Sequence, residues 1–180
     1  MRIISGTYRG KVILAPKDLP VRPTTDFAKT GLFNILNNHF NFLAISVLDL
    51  FSGTGNISYE FISRGCKDLV AVDTNGQCTK FIQQTFDRLE VHGFIGVNKS
   101  DATQFLMNTE HTFDIIFADP PYELNVGEQL HKIIFERNLL NKKGMFVYEH
   151  LAGKNYSPLP FFTEKRKYGN VAFSFFKNEV

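Results

Sequence analysis

The sequence predicts an α/β fold, with a mostly parallel, seven-stranded sheet covered by helices and an antiparallel hairpin at its C-terminal end. Three observations predict it. From residue 45 onwards, short strand-like runs alternate with segments of helical period. The run at 113–118 is rich in apolar, β-branched and aromatic residues, which is typical of a strand buried on both faces. Two last strand-like runs, 161–169 and 170–178, follow each other across a turn.

The chain of 180 residues is 43% hydrophobic and 21% charged, which predicts one domain, 1–180, with a single core. Residues 1–40 form an N-terminal extension in this prediction. Its first part, RIISGTYRGKVIL, has two β-prone runs around Gly6 and Gly10 and predicts a β-hairpin. A helix is expected to follow, capped by Thr24, Thr25 or Asp26.

The rest of the chain is predicted to alternate strand and helix, and each segment is bounded by turn-forming or polar residues. The predicted strands before the hairpin are 46–51, 68–73, a weaker one at 95–101, 113–118 and 143–150. The predicted helices between them are 57–65, 75–93, 102–109 and 126–140.

Several classes of protein are disfavoured by composition. No run approaches the roughly 18–20 apolar residues of a membrane span, and the first residues do not follow the pattern of a signal peptide, so we expect a cytoplasmic protein. Cys66 and Cys78 are too few for a disulfide framework. The five histidines are scattered without the spacing of a metal site, so no metal is expected.

A glycine-rich turn follows the first predicted strand. In VLDLFSGTGNIS, 47–58, Gly53 and Gly55 allow the backbone to bend and to approach a ligand closely. The dinucleotide fingerprint GxGxxG is incomplete because Ser58 holds the third glycine position, which disfavours a nicotinamide cofactor. Asp49 lies within the strand end, where a buried carboxylate needs a partner. That partner is either a ligand ammonium group or the local backbone.

Acidic residues also end the second and third predicted strands. Asp73 could accept both ribose hydroxyls of a nucleoside, or it could cap the following helix. Asp101, followed by Ala102, could accept the amine of an adenine, or it could likewise be a helix cap.

The fourth predicted strand ends in the sequence Asp119-Pro120-Pro121-Tyr122. Two prolines cannot continue a central strand, so Asp119 is expected on a stiff turn at the carboxyl end of the strand. Ligands bind at that edge in open parallel sheets. A carboxylate and a free carbonyl can both accept hydrogen bonds from an exocyclic amine, and an aromatic ring can stack on a base.

Positive charge is concentrated at the two ends of the chain. Residues 1–29 carry six Lys or Arg against two Asp or Glu, and residues 164–180 carry four against two, whereas the segment between them is acidic. This distribution indicates either a surface for a polyanion or an ordinary solvated surface.

Taken together, these motifs resemble S-adenosylmethionine (SAM)-dependent methyltransferases that modify exocyclic amino groups of bases. More closely, the chain resembles the RsmD-type 16S ribosomal RNA guanine-N2 methyltransferases. The resemblance covers nearly the whole chain, through RIISGTYRGKVIL, RPTTD with the following LFN, DLFSGTGN and DPPY. One departure is the helix after RPTTD, where the family usually carries arginines and a glutamate and this chain has Phe27, Lys29 and Thr30.

The resemblance implies a Rossmann-like class I methyltransferase fold with SAM as cofactor. It implies that Asp49, Phe51, Gly53 and Gly55 contact the methionine part, with Asp49 near the ammonium group. Asp73 would bind the ribose, and Asp101 with Ala102 the adenine. Asp119 and the Pro120 carbonyl would accept the two hydrogens of guanine N2, and Asp119 would also border the cofactor. Pro121 would complete the stiff turn, and Tyr122 would stack on the base.

The implied partner is 16S ribosomal RNA or a small-subunit assembly particle, and we expect a monomer. Candidate phosphate contacts come from the two basic ends of the chain: Arg2, Arg9, Lys11, Arg22, Lys165, Arg166 and Lys167. The alternatives are an amino-methyltransferase acting on DNA adenine or protein glutamine, a non-catalytic RNA-binding assembly factor, and a nicotinamide reductase.

Overall fold

The computed structural model describes residues 1–19 and 24–178 and contains one seven-stranded mixed sheet in the order β3-β2-β1-β4-β5-β7-β6. The strands are β1 (Ser46–Leu50), β2 (Asp68–Asp73), β3 (Phe94–Lys99), β4 (Phe113–Ala118), β5 (Leu140–Leu151), β6 (Phe162–Tyr168) and β7 (Val171–Lys177). The first five strands are parallel, and β7 lies antiparallel between β5 and β6. The predicted α/β class and the closing β6–β7 hairpin are confirmed.

Five helices accompany the sheet in this part of the chain: α1 (Asp26–Asn37), α2 (Asn56–Ser63), α3 (Gly76–Arg88), α4 (Ala102–Asn108) and α5 (Gly127–Glu136). The helix α1 begins where a cap was expected, because the Thr25 hydroxyl accepts a hydrogen bond from the Ala28 amide at 3.2 Å. No helix in 1–19 or 24–178 has the length and apolar character that a membrane crossing requires.

Alternating strand residues divide the core into two layers. Val47, Ile115 and Phe117 pack with side chains of α1, α2 and α3 on one face of the sheet. Leu48 and Ile116 pack with α4 and α5 on the other. The central strands are therefore covered on both faces, and ligands can reach them only at the strand ends.

The predicted N-terminal β-hairpin is wrong. The two β-prone runs form no strands: they share one isolated antiparallel bridge between Arg2 and Val12, flanked by a few backbone hydrogen bonds such as Ile3 N–H to the Lys11 carbonyl at 3.0 Å. The amides between them bond elsewhere, because those of Ile4 and Ser5 donate to the Glu60 carboxylate at 2.9 and 3.0 Å. The buried Glu60 carboxylate of α2 thus takes the amides that would have extended the pairing into a hairpin. The segment 1–13 is consequently attached to α2 and does not stand alone as a hairpin.

Candidate active site

The site lies at the carboxyl edge of the parallel strands, where β1 and β4 end side by side. Leu50 pairs with Ala118, and the Asp119 amide approaches the Leu50 carbonyl at 3.5 Å. The glycine turn after β1 and the Asp-Pro-Pro-Tyr turn after β4 are therefore neighbours, as the order of the motifs predicted.

The glycine turn has an unusual backbone. Phe51, Gly53 and Gly55 have φ values of 58°, 53° and 84°. This region is accessible to glycine and is strained for Phe51. A Cβ atom at Gly55 would lie 2.7 Å from the Tyr59 ring. The turn is thus compact, and it directs the first amides of α2 towards the edge of the sheet, where they can face a ligand.

Asp73 is tied to this turn. Its carboxylate accepts one hydrogen bond from the Gly53 amide and another from the Asn75 amide, both at 2.8 Å. The expected alternative, in which Asp73 caps α3, does not occur, because Asn75 is the cap residue. A carboxylate can accept about four hydrogen bonds, so Asp73 retains capacity for ribose hydroxyls.

Asp49 is a buried acid without a cationic protein partner among residues 1–19 and 24–178. It is 1% exposed and accepts a hydrogen bond from the Ser58 hydroxyl at 2.5 Å. Burial raises the pKa of the Asp49 carboxyl to about 7, and the nearby Asp73 charge adds to the shift. A ligand cation at this position would stabilise the ionised form. The Ser58 that disfavours a dinucleotide fingerprint is therefore the residue that holds Asp49.

Asp101 adopts the alternative role that the sequence allowed. It is exposed and caps α4 by accepting a hydrogen bond from the Gln104 amide at 3.0 Å, while Ala102 is buried. Both residues follow β3 at the same edge of the sheet. Their predicted contact with an adenine stays a prediction.

The Asp-Pro-Pro-Tyr turn has the expected form. Asp119 is half-buried, Pro120 is buried and Pro121 precedes a short 3-10 helix, Tyr122–Leu124. Tyr122 is 37% exposed, so part of the residue is open to solvent. Burial, followed by the charges of Glu149 and Asp49, raises the pKa of Asp119 well above its usual range.

Sequence reasoning missed Glu149, the fifth carboxylate of this edge of the sheet. It lies one residue beyond the Ala118–Tyr148 pair, level with Asp119, and is 3% exposed. Its carboxylate accepts hydrogen bonds from the Thr24 hydroxyl, at 3.1 Å, and from Tyr122. Burial raises the pKa of Glu149 to about 7. An acid at the end of an apolar strand is the pattern that identified Asp49, and it recurs in the sequence VYEH.

A second missed feature is a buried ion pair behind the glycine turn. The Lys29 ammonium lies 3.2 Å from Glu60 and donates to the Arg2 carbonyl at 2.7 Å and to the Asn56 side chain at 2.8 Å. Lys29 is therefore bound inside the fold and does not face solvent. Phe27 instead packs its ring against Tyr168 of β6 at 5.5 Å, and the Thr30 hydroxyl donates to the Asp26 carbonyl.

The candidate phosphate contacts separate into two places. Arg166 and Lys167 are exposed near the end of β6. That end lies at the carboxyl edge of the sheet, because Tyr168 pairs with Val171 and Val171 pairs with Leu151, the last residue of β5. Arg166 is paired with Glu164 at 2.5 Å, as Arg2 is with Asp26 at 3.0 Å. Lys165 donates to two carbonyls, and Arg22 lies outside the described residues.

Arg9 and Lys11 are exposed in the N-terminal segment. The neighbouring Tyr8 amide donates to Ser63, the last residue of α2, whereas the site adjoins the first residue of that helix. Arg9 consequently lies beside the end of α2 that is remote from the glycine turn. Arg2, by contrast, is paired with Asp26, whose neighbour Phe27 packs on Tyr168 of β6 beside the C-terminal basic residues.

Comparison with known proteins assigns the chain to a family. Residues 1–177 match the family model described as "Conserved hypothetical protein 95". A Bacillus subtilis (strain 168) relative, "Putative rRNA methyltransferase YlbH", is 33% identical over 83% of this chain and 82% of its own length. "Ribosomal RNA small subunit methyltransferase D" of Haemophilus influenzae is 29% identical over 83% of this chain and 78% of its own.

Solved structures share the fold. "Putative methyltransferase yhhF from Escherichia coli" superposes with a TM-score of 0.85 at 23% identity, covering 100% of this chain and 98% of the other. A Thermus thermophilus "16S rRNA N2 G1207 methyltransferase (RsmC) in complex with AdoMet and Guanosine" gives a TM-score of 0.70 at 19% identity. It covers 89% of this chain and 45% of the other.

The residues present fit SAM. The glycine turn leaves the first amides of α2 without a side-chain cap, buried Asp49 calls for a cation, and Asp73 follows at the end of β2. Asp49 would face the ammonium group and Asp73 the ribose. The family match over nearly the whole chain agrees with this geometry. The chain therefore belongs to the Conserved hypothetical protein 95 family and is a SAM-dependent methyltransferase.

Proposed function

We propose that the protein transfers a methyl group from SAM to the exocyclic N2 amine of a guanine in small-subunit ribosomal RNA. The observation that carries the proposal is the position of the Asp119-Pro120-Pro121-Tyr122 turn directly beside the glycine turn and Asp49. The name of the Haemophilus influenzae relative supports ribosomal RNA of the small subunit as the substrate.

The roles of the residues follow from the chemistry of an aromatic amine. Its lone pair is conjugated into the base, so a hydrogen-bond acceptor on each N–H is needed to hold the nitrogen towards the methyl group. Asp119 and the Pro120 carbonyl would be those acceptors, and Tyr122 would stack on the base. Bound SAM supplies a methyl group activated by its sulfonium sulfur, and the amine proton leaves to water.

Positioning provides most of the rate enhancement in such a site. Holding two reactants in the correct geometry lowers a barrier by roughly 7–11 kcal/mol. The stiff Pro-Pro turn and the buried ends of β1 and β4 provide a rigid frame for this purpose. The target base must leave any stack to enter the site, as in other enzymes that modify bases.

The test is transfer of labelled methyl from SAM to small ribosomal subunits that lack their own modification, followed by nucleoside analysis. We expect label in N2-methylguanosine. Asp119→Ala should lower turnover by roughly 100-fold or more, the scale of losing one transition-state hydrogen bond, with S-adenosylhomocysteine (SAH) binding nearly intact. Glu136→Ala, at an exposed carboxylate on α5, is the matched control.

The other outcomes point to the alternatives. Label in N6-methyladenine, or label only when DNA is supplied, would move the substrate to adenine or DNA. Binding of SAH without any transfer would favour a non-catalytic assembly factor. A collapse of SAH affinity in Asp119→Ala as large as the loss of turnover would contradict the role of Asp119.

A further inference from the structure

Glu149 has no part in the chemistry proposed above, yet it is the most enclosed carboxylate on the substrate side of the site. It is 3% exposed at the end of β5, level with Asp119. Placing a second carboxylate beside Asp119 is unfavourable, because burial and like charge both oppose ionisation. An apolar side chain of similar size would pack there without that cost. The position of Glu149 therefore calls for a role that its carboxylate oxygens fulfil.

The contacts of Glu149 indicate that role. One oxygen accepts the Thr24 hydroxyl at 3.1 Å, and the carboxylate also accepts a hydrogen bond from Tyr122. Tyr122 begins a single-turn 3-10 helix, and its ring is partly exposed. Because Tyr122 is 37% exposed, part of its ring is open to solvent and a contact at its hydroxyl helps to fix the plane of the ring. The hydroxyl is the polar group by which the ring can be held.

Thr24 is itself fixed, so Glu149 is held from the side opposite Tyr122. The Asn56 side-chain amide donates to the Thr24 carbonyl at 3.0 Å, and the Asn56 oxygen accepts from the buried Lys29 ammonium at 2.8 Å. This series of hydrogen bonds runs from Asn56, the first residue of α2, through Thr24 and Glu149 to the hydroxyl of Tyr122. Each member along the way is anchored by another.

We propose that Glu149, held by Thr24, is a positioning residue that fixes the Tyr122 hydroxyl and so sets the plane of the ring on which the target base stacks. This inference rests on the proposed function for the base. It adds a residue of the N-terminal extension and one of β5 to the site. Neither would touch the reacting atoms.

A double-mutant cycle tests the inference on methyl transfer. Tyr122→Phe keeps the ring and removes the hydroxyl, and Glu149→Ala removes its acceptor. We expect each to lower kcat/KM by about tenfold, within the range of coupling between contacting side chains. If Glu149 acts through the Tyr122 hydroxyl, kcat/KM of the double variant should be no more than about twofold lower than that of Tyr122→Phe. Losses that multiply to about 100-fold would overturn the proposal.

Conservative variants separate positioning from folding. Glu149→Gln keeps an oxygen acceptor for Tyr122 and should recover most of the activity lost in Glu149→Ala. SAH affinity should change by less than about twofold in all variants. If Glu149→Ala does not fold, the cycle is run with Glu149→Leu, which preserves volume. A loss of SAH binding parallel to the loss of turnover would overturn the positioning role.

A second measurement needs no substrate, so it distinguishes failure of this inference from failure of the proposed function. In protein with 13C-labelled tyrosine, the Tyr122 ring signal is assigned by its absence in Tyr122→Phe. Glu149→Ala and Thr24→Val should shift that signal, whereas Glu136→Ala should not. An unchanged Tyr122 signal in Glu149→Ala would overturn the inference even if methyl transfer is observed. An inactive wild type with the expected shifts would count against the proposed function alone.

Discussion

At the scale of single residues, Asp49 shows how a ligand requirement can be built into a core. Its carboxyl is buried at the end of β1 and has a pKa of about 7. A raised pKa means that the protonated form suits the fold better. The contribution of protonated Asp49 to the free energy of unfolding is complete below the usual pKa of an aspartate, near 4, and is lost as pH rises through about 7. As pH rises through about 7 the free protein therefore acquires a buried charge that a cationic ligand would neutralise.

Asp49→Asn should stabilise the free protein and weaken cofactor binding. The amide oxygen can still accept from Ser58, but no charge forms as pH rises. We expect a stability advantage over wild type that grows by about 1–3 kcal/mol between pH 5 and pH 8, measured by urea unfolding. SAH affinity at pH 8 should fall by about tenfold or more, measured by calorimetry. A stability difference independent of pH would show that Asp49 is not the titrating group.

The strand-ending acids could be predicted from the sequence because each closes an apolar run. Their partners could not. That Asp73 bonds to Gly53 across the turn depends on how β1 and β2 are paired. The burial of Lys29 depends on Glu60, which is distant in sequence and lies in a helix with no exposed residue. Pairwise polar contacts of this kind are tertiary, and no local pattern specifies them.

At the scale of elements, the glycine turn connects β1 to α2. Gly55 has two constraints there: a positive φ, and the Tyr59 ring in the space that a Cβ atom would occupy. Gly10 offers a matched control, since its φ is +82° but a Cβ atom added there would meet no other atom within 4 Å. The comparison separates backbone strain from steric conflict.

Gly55→Ala should therefore be more destabilising than Gly10→Ala. The control should cost about 1 kcal/mol, for the backbone alone. Gly55→Ala should cost a further ~1–3 kcal/mol, because Tyr59 and Ile82 must move. It should also weaken SAH binding, which Gly10→Ala should not. Denaturant unfolding and calorimetry measure both quantities, and equal costs at the two positions would contradict the steric argument.

The N-terminal segment shows where element prediction failed. Its β-prone residues and glycines are those of a hairpin, and local propensity cannot anticipate that α2 offers Glu60 and Ser63 as competing acceptors. Backbone amides bond to whichever acceptor tertiary structure supplies. The parallel strands were predicted correctly because their apolar runs have no such competitor.

At the scale of the whole molecule, the basic groups lie in different places relative to the site. Arg166 and Lys167 approach the carboxyl edge, whereas Arg9 lies beside the remote end of α2. We expect Arg166→Glu with Lys167→Glu to weaken RNA binding and to reduce the slope of log affinity against log salt by about two. Arg9→Glu with Lys11→Glu makes the same change in charge and should have the smaller effect. The reverse order would place the RNA path along the N-terminal segment.

The place of β7 in the sheet has a consequence for the newly made chain. This strand, Val171–Lys177, follows both β5 and β6 in sequence, yet it lies between them and pairs with both. Until residues 171–177 have left the ribosome, β5 has an open, apolar edge and β6 has no strand to join. Open strand edges promote aggregation. A message truncated shortly before codon 171 would thus yield a chain that retains every residue of the glycine and Asp-Pro-Pro-Tyr turns. That chain would expose the unpaired edge of β5 and is expected to aggregate.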